Sequence, residues 1–226
     1  MSGAGGSVTV SRVGSTATFE LADPTDVDRY GGKGAGLARM TQAGLRVPPG
    51  FVVTTEACRS YLSDGAMPER LADEVLAQLD ALQGTCGKTF GGGPTPLLLS
   101  VRSGAPVSMP GMMDTILNLG LDKDTAVALA ESSGDTRFMA DLVARFHQMY
   151  SEIVLGALDC GGSARAVVDA VAADAAPGPV FDSVWQACEQ ALAEETGDSV
   201  PTDPRAQLLG AVEAVFRSWN TRRART

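Results

Sequence analysis

Residues 96–121, PLLLSVRSGAPVSMPGMMDTILNLGL, constrain the fold more than any other stretch of the chain. Leu97, Leu98 and Leu99 lead through Ser100 and Val101 to Arg102, an apolar run of strand length that ends in a cation. Ser103, Gly104, Ala105, Pro106, Ser108, Pro110 and Gly111 follow, and this density of small residues and prolines predicts a loop. A buried strand that ends in a cation and a small-residue loop presents charge and backbone N–H groups to an anion. The chain must therefore build a sheet core at this point, and its chemistry depends on which anion the loop meets.

Before this stretch, residues 1–15 are rich in Gly and Ser and predict a loose N-terminus. Residues 16–21 (TATFEL) alternate as a first strand, and 22–30 form a polar connection. Gly31-Gly32-Lys33-Gly34-Ala35-Gly36 then opens a helix whose inward face is Leu37, Met40 and Ala43, with Gly44 as its stop. Gly34 and Gly36 each cost a helix about 1 kcal/mol relative to Ala, which points to close backbone approach. Val47-Pro48-Pro49-Gly50 ends any helix. A second strand at 51–54 follows, with Thr55 as N-cap of a helix at 56–62. Pro68 opens a helix through Gln83 with Leu71, Val75, Leu79 and Leu82 on one face, and 84–96 is a Gly-rich linker or lid.

After the stretch, the pattern turns helical. Asp122 or Asp124 caps a helix to about 131. Asp135 starts a longer one with Phe138, Leu142, Phe146, Met149 and Ile153 inward. Helices at 161–174 and 181–196 follow, the second with Val184, Cys188 and Leu192 inward. Asp203 and Pro204 are N-cap and N1 of the last helix, whose stripe is Leu208, Val212, Val215, Phe216 and Trp219. Strands confined to the first half and helices filling the second predict an α+β chain. The divisions are 1–15, a loose terminus; 16–121, an α/β subdomain; 122–202, a helical appendage; and 203–226, a C-terminal helix.

The 226 residues include 44% hydrophobic and 20% charged side chains, enough for a substantial core. A net charge of -9 argues against nucleic acid or an acidic membrane as partner. Four cysteines without a CxxC pair and a single histidine make zinc a poor fit and predict reduced, packed thiols in a cytoplasmic protein. No apolar run approaches the ~20 residues of a membrane span.

Two readings stand for Arg102: a surface ion pair at a strand end, or a guanidinium aimed at phosphate oxygens. Lys33 is either solvated or, with glycines on both sides leaving its ammonium free, a phosphate contact. The surrounding glycines match neither a Walker A motif nor a dinucleotide fingerprint. Gly111, Met112 and Met113 read as a turn feeding a packed methionine pair, or as a loop closing over a nucleotide tail. Asp114 reads as a cap or loop acid in preference to a metal ligand. His147, within a helix, reads as a satisfied or exposed side chain.

GGKGAGLARMTQAGLRVPPGFVVTTEACRSYL and LLLSVRSGAPVSMPGMMDTILNLGL together resemble the N-terminal nucleotide-binding region of pyruvate, phosphate dikinase. DPRAQLLGAVEAVFRSWNTRRA is similar to the helix that follows that family's helical insert. The resemblance implies the N-terminal subdomain of an ATP-grasp fold with a helical insert. It implies that Lys33 and Arg102 contact the ATP phosphates, Arg102 also serving catalysis by neutralising charge. It implies that Ser108, Gly111, Met112, Met113, Asp114 and Thr115 belong to a glycine loop over the transferring phosphates. Such a reaction depends on positioning and charge stabilisation, which suits two cations and a loop.

In the family, a second ATP-grasp half carries adenine contacts and the acidic Mg2+ ligands, so no metal ligand is assigned here. The swivelling domain with its phosphorylated histidine and the pyruvate-binding barrel also lie outside this sequence. The resemblance implies that this chain alone does not complete the dikinase reaction. Three expectations follow: part of a split phosphotransferase completed by a second polypeptide, a non-catalytic nucleotide- or protein-binding module, or a truncated remnant.

Overall fold

The computed structural model describes residues 14–93, 95–104, 115–157, 161–172 and 175–219. It is a mixture of helices and small two-stranded sheets, in agreement with the α+β expectation. The chain divides into two compact units, Met1–Cys86 with Gly104–Met109, and Gly87–Ser103 with Pro110–Thr226.

In the first unit, β1 (Thr16–Thr18) pairs antiparallel with β2 (Phe51–Val53). Between them runs α1 (Val27–Gln42), capped by the Asp26 carboxylate, which accepts the Arg29 N–H at 3.0 Å. The helix therefore starts within the span read as a polar connection, because Asp26 is a stronger start signal than the later glycines. Its buried positions are Tyr30, Gly31, Gly34, Ala35 and Ala38, not Leu37, Met40 and Ala43. Met40 is 39% exposed. The reason is steric: a Cβ on Gly34 would lie 2.8 Å from Val52 Cγ2, so the small residues make the close face. Gly36 has open space around it, and its cost is not repaid by packing. Gly44, at φ 78, lies beyond the helix end as expected.

Thr54, not Thr55, caps α2 (Thr55–Asp64), its hydroxyl accepting the Ala57 N–H. α3 (Leu71–Cys86) begins three residues after Pro68, whose carbonyl accepts the Leu71 N–H. Leu71, Val75, Leu79 and Leu82 are buried as predicted, and α3 packs on β1. Glu74, 8% exposed, accepts the Ser15 N–H at 2.7 Å and so fixes the entry to β1.

The second unit opens with β3 (Thr89–Phe90) paired in parallel with β4 (Pro96–Leu97), in a span read from sequence as linker. β5 (Leu99–Arg102) pairs antiparallel with β6 (Thr115–Leu119), so a strand also lies just beyond the chain's midpoint. The register shifts between Leu99 and Val101, and the extra residue falls on β6, where Asn118 has φ 59. Asparagine tolerates this left-handed conformation better than most side chains.

The helices are α4 (Lys123–Ser133), α5 (Thr136–Tyr150), a π-helical turn (Ser151–Leu155), α6 (Gly161–Asp169), α7 (Pro177–Thr196) and α8 (Pro204–Ser218). Asp122, Asp135 and Asp203 are the N-caps of α4, α5 and α8. On α5 the buried line is Met139, Ala140, Val143, Phe146, His147 and Tyr150, one step round from the predicted stripe, and Phe138 is 56% exposed. Two apolar lines one residue apart share Phe146. α5 packs against α4, α6, α7 and β6, and those neighbours decide which line is covered.

α8 is fastened to the sheet by Gln207, which is fully buried. Its Oε1 accepts the Gly120 N–H at 3.0 Å, and its Nε2 donates to Leu121 O at 3.2 Å and Pro201 O at 2.9 Å. The stripe Leu208, Val212, Val215 and Phe216 is buried as predicted, and α8 lies against β5 and β6. No described helix is long and apolar enough to cross a membrane.

Candidate functional site

Lys33 belongs to the first unit, on the exposed side of α1. The helix is kinked just before it, where Gly31 adopts φ 68 and ψ 164. That region is essentially open to glycine alone. Gly31 lies directly against Gly104: a Cβ added to Gly31 would sit 1.9 Å from the Gly104 carbonyl oxygen. A Cβ added to Gly104 would sit 3.7 Å from Lys33 Cβ and 3.8 Å from the Gly34 amide nitrogen. Gly31 thus serves backbone-to-backbone contact with Gly104. This pairing spans 73 residues of sequence (104 − 31), and no local pattern announces it.

Arg102 belongs to the second unit, as the exposed last residue of β5. Thr115, assigned from sequence to a loop, is instead the first residue of β6 and faces Arg102 in the ladder. Arg102 and Thr115, which flank residues 103–114 in sequence, are thereby held side by side. Ser108, Gly111, Met112, Met113 and Asp114 lie outside the described residues. The side chains of Lys33 and Arg102 make no ion pair or hydrogen bond among the described residues. Arg46, Arg59, Arg70 and Lys88 likewise form no ion pair among the described residues, whereas Lys123, Arg137, Arg145 and Arg165 pair with carboxylates of the helical elements.

Sequence reasoning read Trp219 simply as core. It is half-buried, and its indole Nε1 donates to Ser103 Oγ at 3.1 Å, next to Arg102. Its signal in the sequence was only that an indole carries a donor that seeks a partner when covered.

The remaining reactive groups are placed for structure. His147 is buried, its Nδ1 3.0 Å from Val143 O and its ring edge-on to Trp185 at 4.3 Å. Its Nε2 lies 3.5 Å from Glu189 Oε1 without a hydrogen bond. Burial pushes the Cys58 thiol up to about 11, against the pull of Arg59. Burial likewise pushes Tyr150 up to about 12, opposed by Arg217. Both groups keep their protons near neutral pH, which disqualifies them as thiolate nucleophile or phenolate base.

Among the described residues no three His, Cys, Asp or Glu side chains converge to hold a metal ion. The described residues therefore do not by themselves form a Mg2+ site.

Comparison with known proteins gives the context for these cations. The sequence profile of the family described as "Pyruvate phosphate dikinase, AMP/ATP-binding domain" matches residues 27–67 and 59–226. The chain is 45% identical over 213 residues to pyruvate, phosphate dikinase of Rhizobium meliloti, covering 89% of this chain and 23% of that protein. It is 44% identical over 212 residues to the enzyme of Entamoeba histolytica, covering 91% and 24%. It is 41% identical over 217 residues to that of Clostridium symbiosum, again covering 91% and 24%. The chain therefore spans about a quarter of the length of these relatives. With its glycine-kinked lysine helix and its arginine-ended strand in the matched residues, the chain belongs to the pyruvate phosphate dikinase AMP/ATP-binding domain family.

Proposed function

We propose that the chain binds ATP by its phosphate tail, as the ATP-binding part of a pyruvate, phosphate dikinase-like phosphotransferase. Lys33 and Arg102 contact the phosphates. Arg102, with a planar fork of donors, also offsets the charge that develops during transfer. Ser108, Gly111, Met112, Met113 and Asp114 belong to the segment that covers the transferring group, and Thr115 opens the strand that follows it. The phosphoryl group passes toward a histidine on a further domain or a second polypeptide, and Mg2+ is held by carboxylates supplied from there. We assign the chain to the N-terminal subdomain of an ATP-grasp fold, with 16–121 as the nucleotide-binding part, 122–202 as the helical insert and 203–226 as the C-terminal helix. The setting is cytoplasmic.

The observation that carries this reading is the ladder pair Arg102–Thr115. It sets the two residues that flank 103–114 side by side, one of them a guanidinium that no described carboxylate neutralises. Two cations in an acidic chain suit a small polyanion better than a large anionic surface. The test is competition. Tripolyphosphate is expected to displace bound ATP from the chain, whereas adenosine at the same concentration is not. Displacement by adenosine alone would place recognition on the base and contradict the phosphate reading.

A further inference from the structure

We propose that Trp219 is a positioning residue for the phosphate grip of Arg102, acting through Ser103. The inference rests on the phosphate-binding reading above and adds a residue to it.

Trp219 is the C-cap residue of α8, at φ -69 and ψ -18, with its backbone N–H bonded to Phe216 O at 3.2 Å. Its indole reaches Ser103, 116 residues away in sequence and 6% exposed. An indole can only donate, so Ser103 Oγ is the acceptor and keeps its own O–H for another partner. Ser103 follows Arg102 directly, and Arg102–Thr115 is the last rung of the β5–β6 ladder among the described residues. Beyond that rung the strand direction needs another anchor, and the indole supplies it.

The anchor is itself rigid. α8 begins at Pro204 behind the Asp203 cap and is tied to Gly120, Leu121 and Pro201 by Gln207. It buries Leu208, Val212, Val215 and Phe216. The helix thus acts as a post that fixes the peptide immediately after Arg102. Bidentate contact with phosphate demands a fixed direction and plane for a guanidinium. A lysine in its place is a point charge on a flexible stem and tolerates a looser strand end. That difference separates positioning from general loosening.

The test is calorimetry with MgATP on the full chain. Trp219→Phe keeps an aromatic ring and deletes the donor. It is expected to weaken binding roughly threefold to tenfold, the worth of one neutral hydrogen bond. In an Arg102→Lys background the same change is expected to cost less than about twofold, because the lysine does not depend on the fixed exit. Ser103→Ala, which also removes the hydroxyl's own donor, is expected to cost at least as much as Trp219→Phe, and the double variant to be no worse than Ser103→Ala. Ser103→Thr, which keeps the hydroxyl, is expected to restore binding. Trp185, the other tryptophan, reports by fluorescence that Trp219→Phe stays folded. If that variant unfolds, Ser103→Ala carries the comparison.

Equal losses in the wild-type and Arg102→Lys backgrounds, or none in either, overturn the inference while leaving the phosphate reading intact. Failure of the reading itself has a different signature: Arg102→Ala then binds as the wild type does, or the wild type binds nothing. The inference falls with it.

Discussion

Gly31→Ala is expected to destabilise the protein by roughly 3 kcal/mol or more and to remove ATP binding in the fraction that stays folded. The added methyl would meet backbone, not a side chain that can rotate away: the Gly104 oxygen at 1.9 Å and its carbonyl carbon at 2.9 Å. The native φ of 68 with ψ 164 is also closed to alanine. Relief requires moving either the start of α1, which carries Lys33, or the Gly104 backbone. Gly36→Ala, five residues along the same helix, is the control. It has nothing within 4 Å and helical geometry, so it is expected to stabilise by about 0.5–1 kcal/mol. Urea unfolding of the two variants measures the contrast. Equal effects at both positions would mean that Gly31 is not held against Gly104 as described.

Gln207→Leu is expected to cost about 3–5 kcal/mol although the substitution nearly conserves volume. The leucine leaves the Gly120 N–H and the Leu121 and Pro201 carbonyls without the side-chain partner they have now. An unpartnered buried polar group costs about 1–3 kcal/mol. Gln207→Glu keeps an acceptor for Gly120 but turns oxygen toward both carbonyls, so it is expected to be no better. The exposed Gln148, whose amide bonds Glu152 at 2.9 Å one turn on, is the control. Gln148→Leu is expected to stay within about 0.5 kcal/mol. A Gln207→Leu protein that melts like the Gln148→Leu one would remove the clamp between α8 and the end of β6.

Local signals in the sequence carried the helices well. Asp203-Pro204 marked the start of α8, Asp135 that of α5, and the Leu71, Val75, Leu79 and Leu82 stripe is the buried face of α3. Where two local solutions had similar apolar content, tertiary neighbours chose. On α5 they selected the line through Met139 and Val143, and on α1 they selected glycine and alanine because Val52 comes so close. β6 carries no alternating pattern to mark it, because its five residues hold a bulge at Asn118. The long-range bonds of Gln207 and of Trp219 with Ser103 join residues more than 80 apart and have no periodic signature. The candidate site divides the same way. Lys33 and Arg102 stood out by their neighbours in sequence, whereas Gly104 and Ser103 gain meaning only from what folds against them.

The proposed recognition of the ATP phosphates runs through Arg102. Isothermal calorimetry of the chain with MgATP, repeated on Arg102→Ala, tests it most directly. Saturable binding at one site is expected for the wild type, with a loss of roughly tenfold or more in the variant, the cost of removing a charge-assisted bidentate contact. Equal heats for the two proteins, or no heat for either, would contradict it.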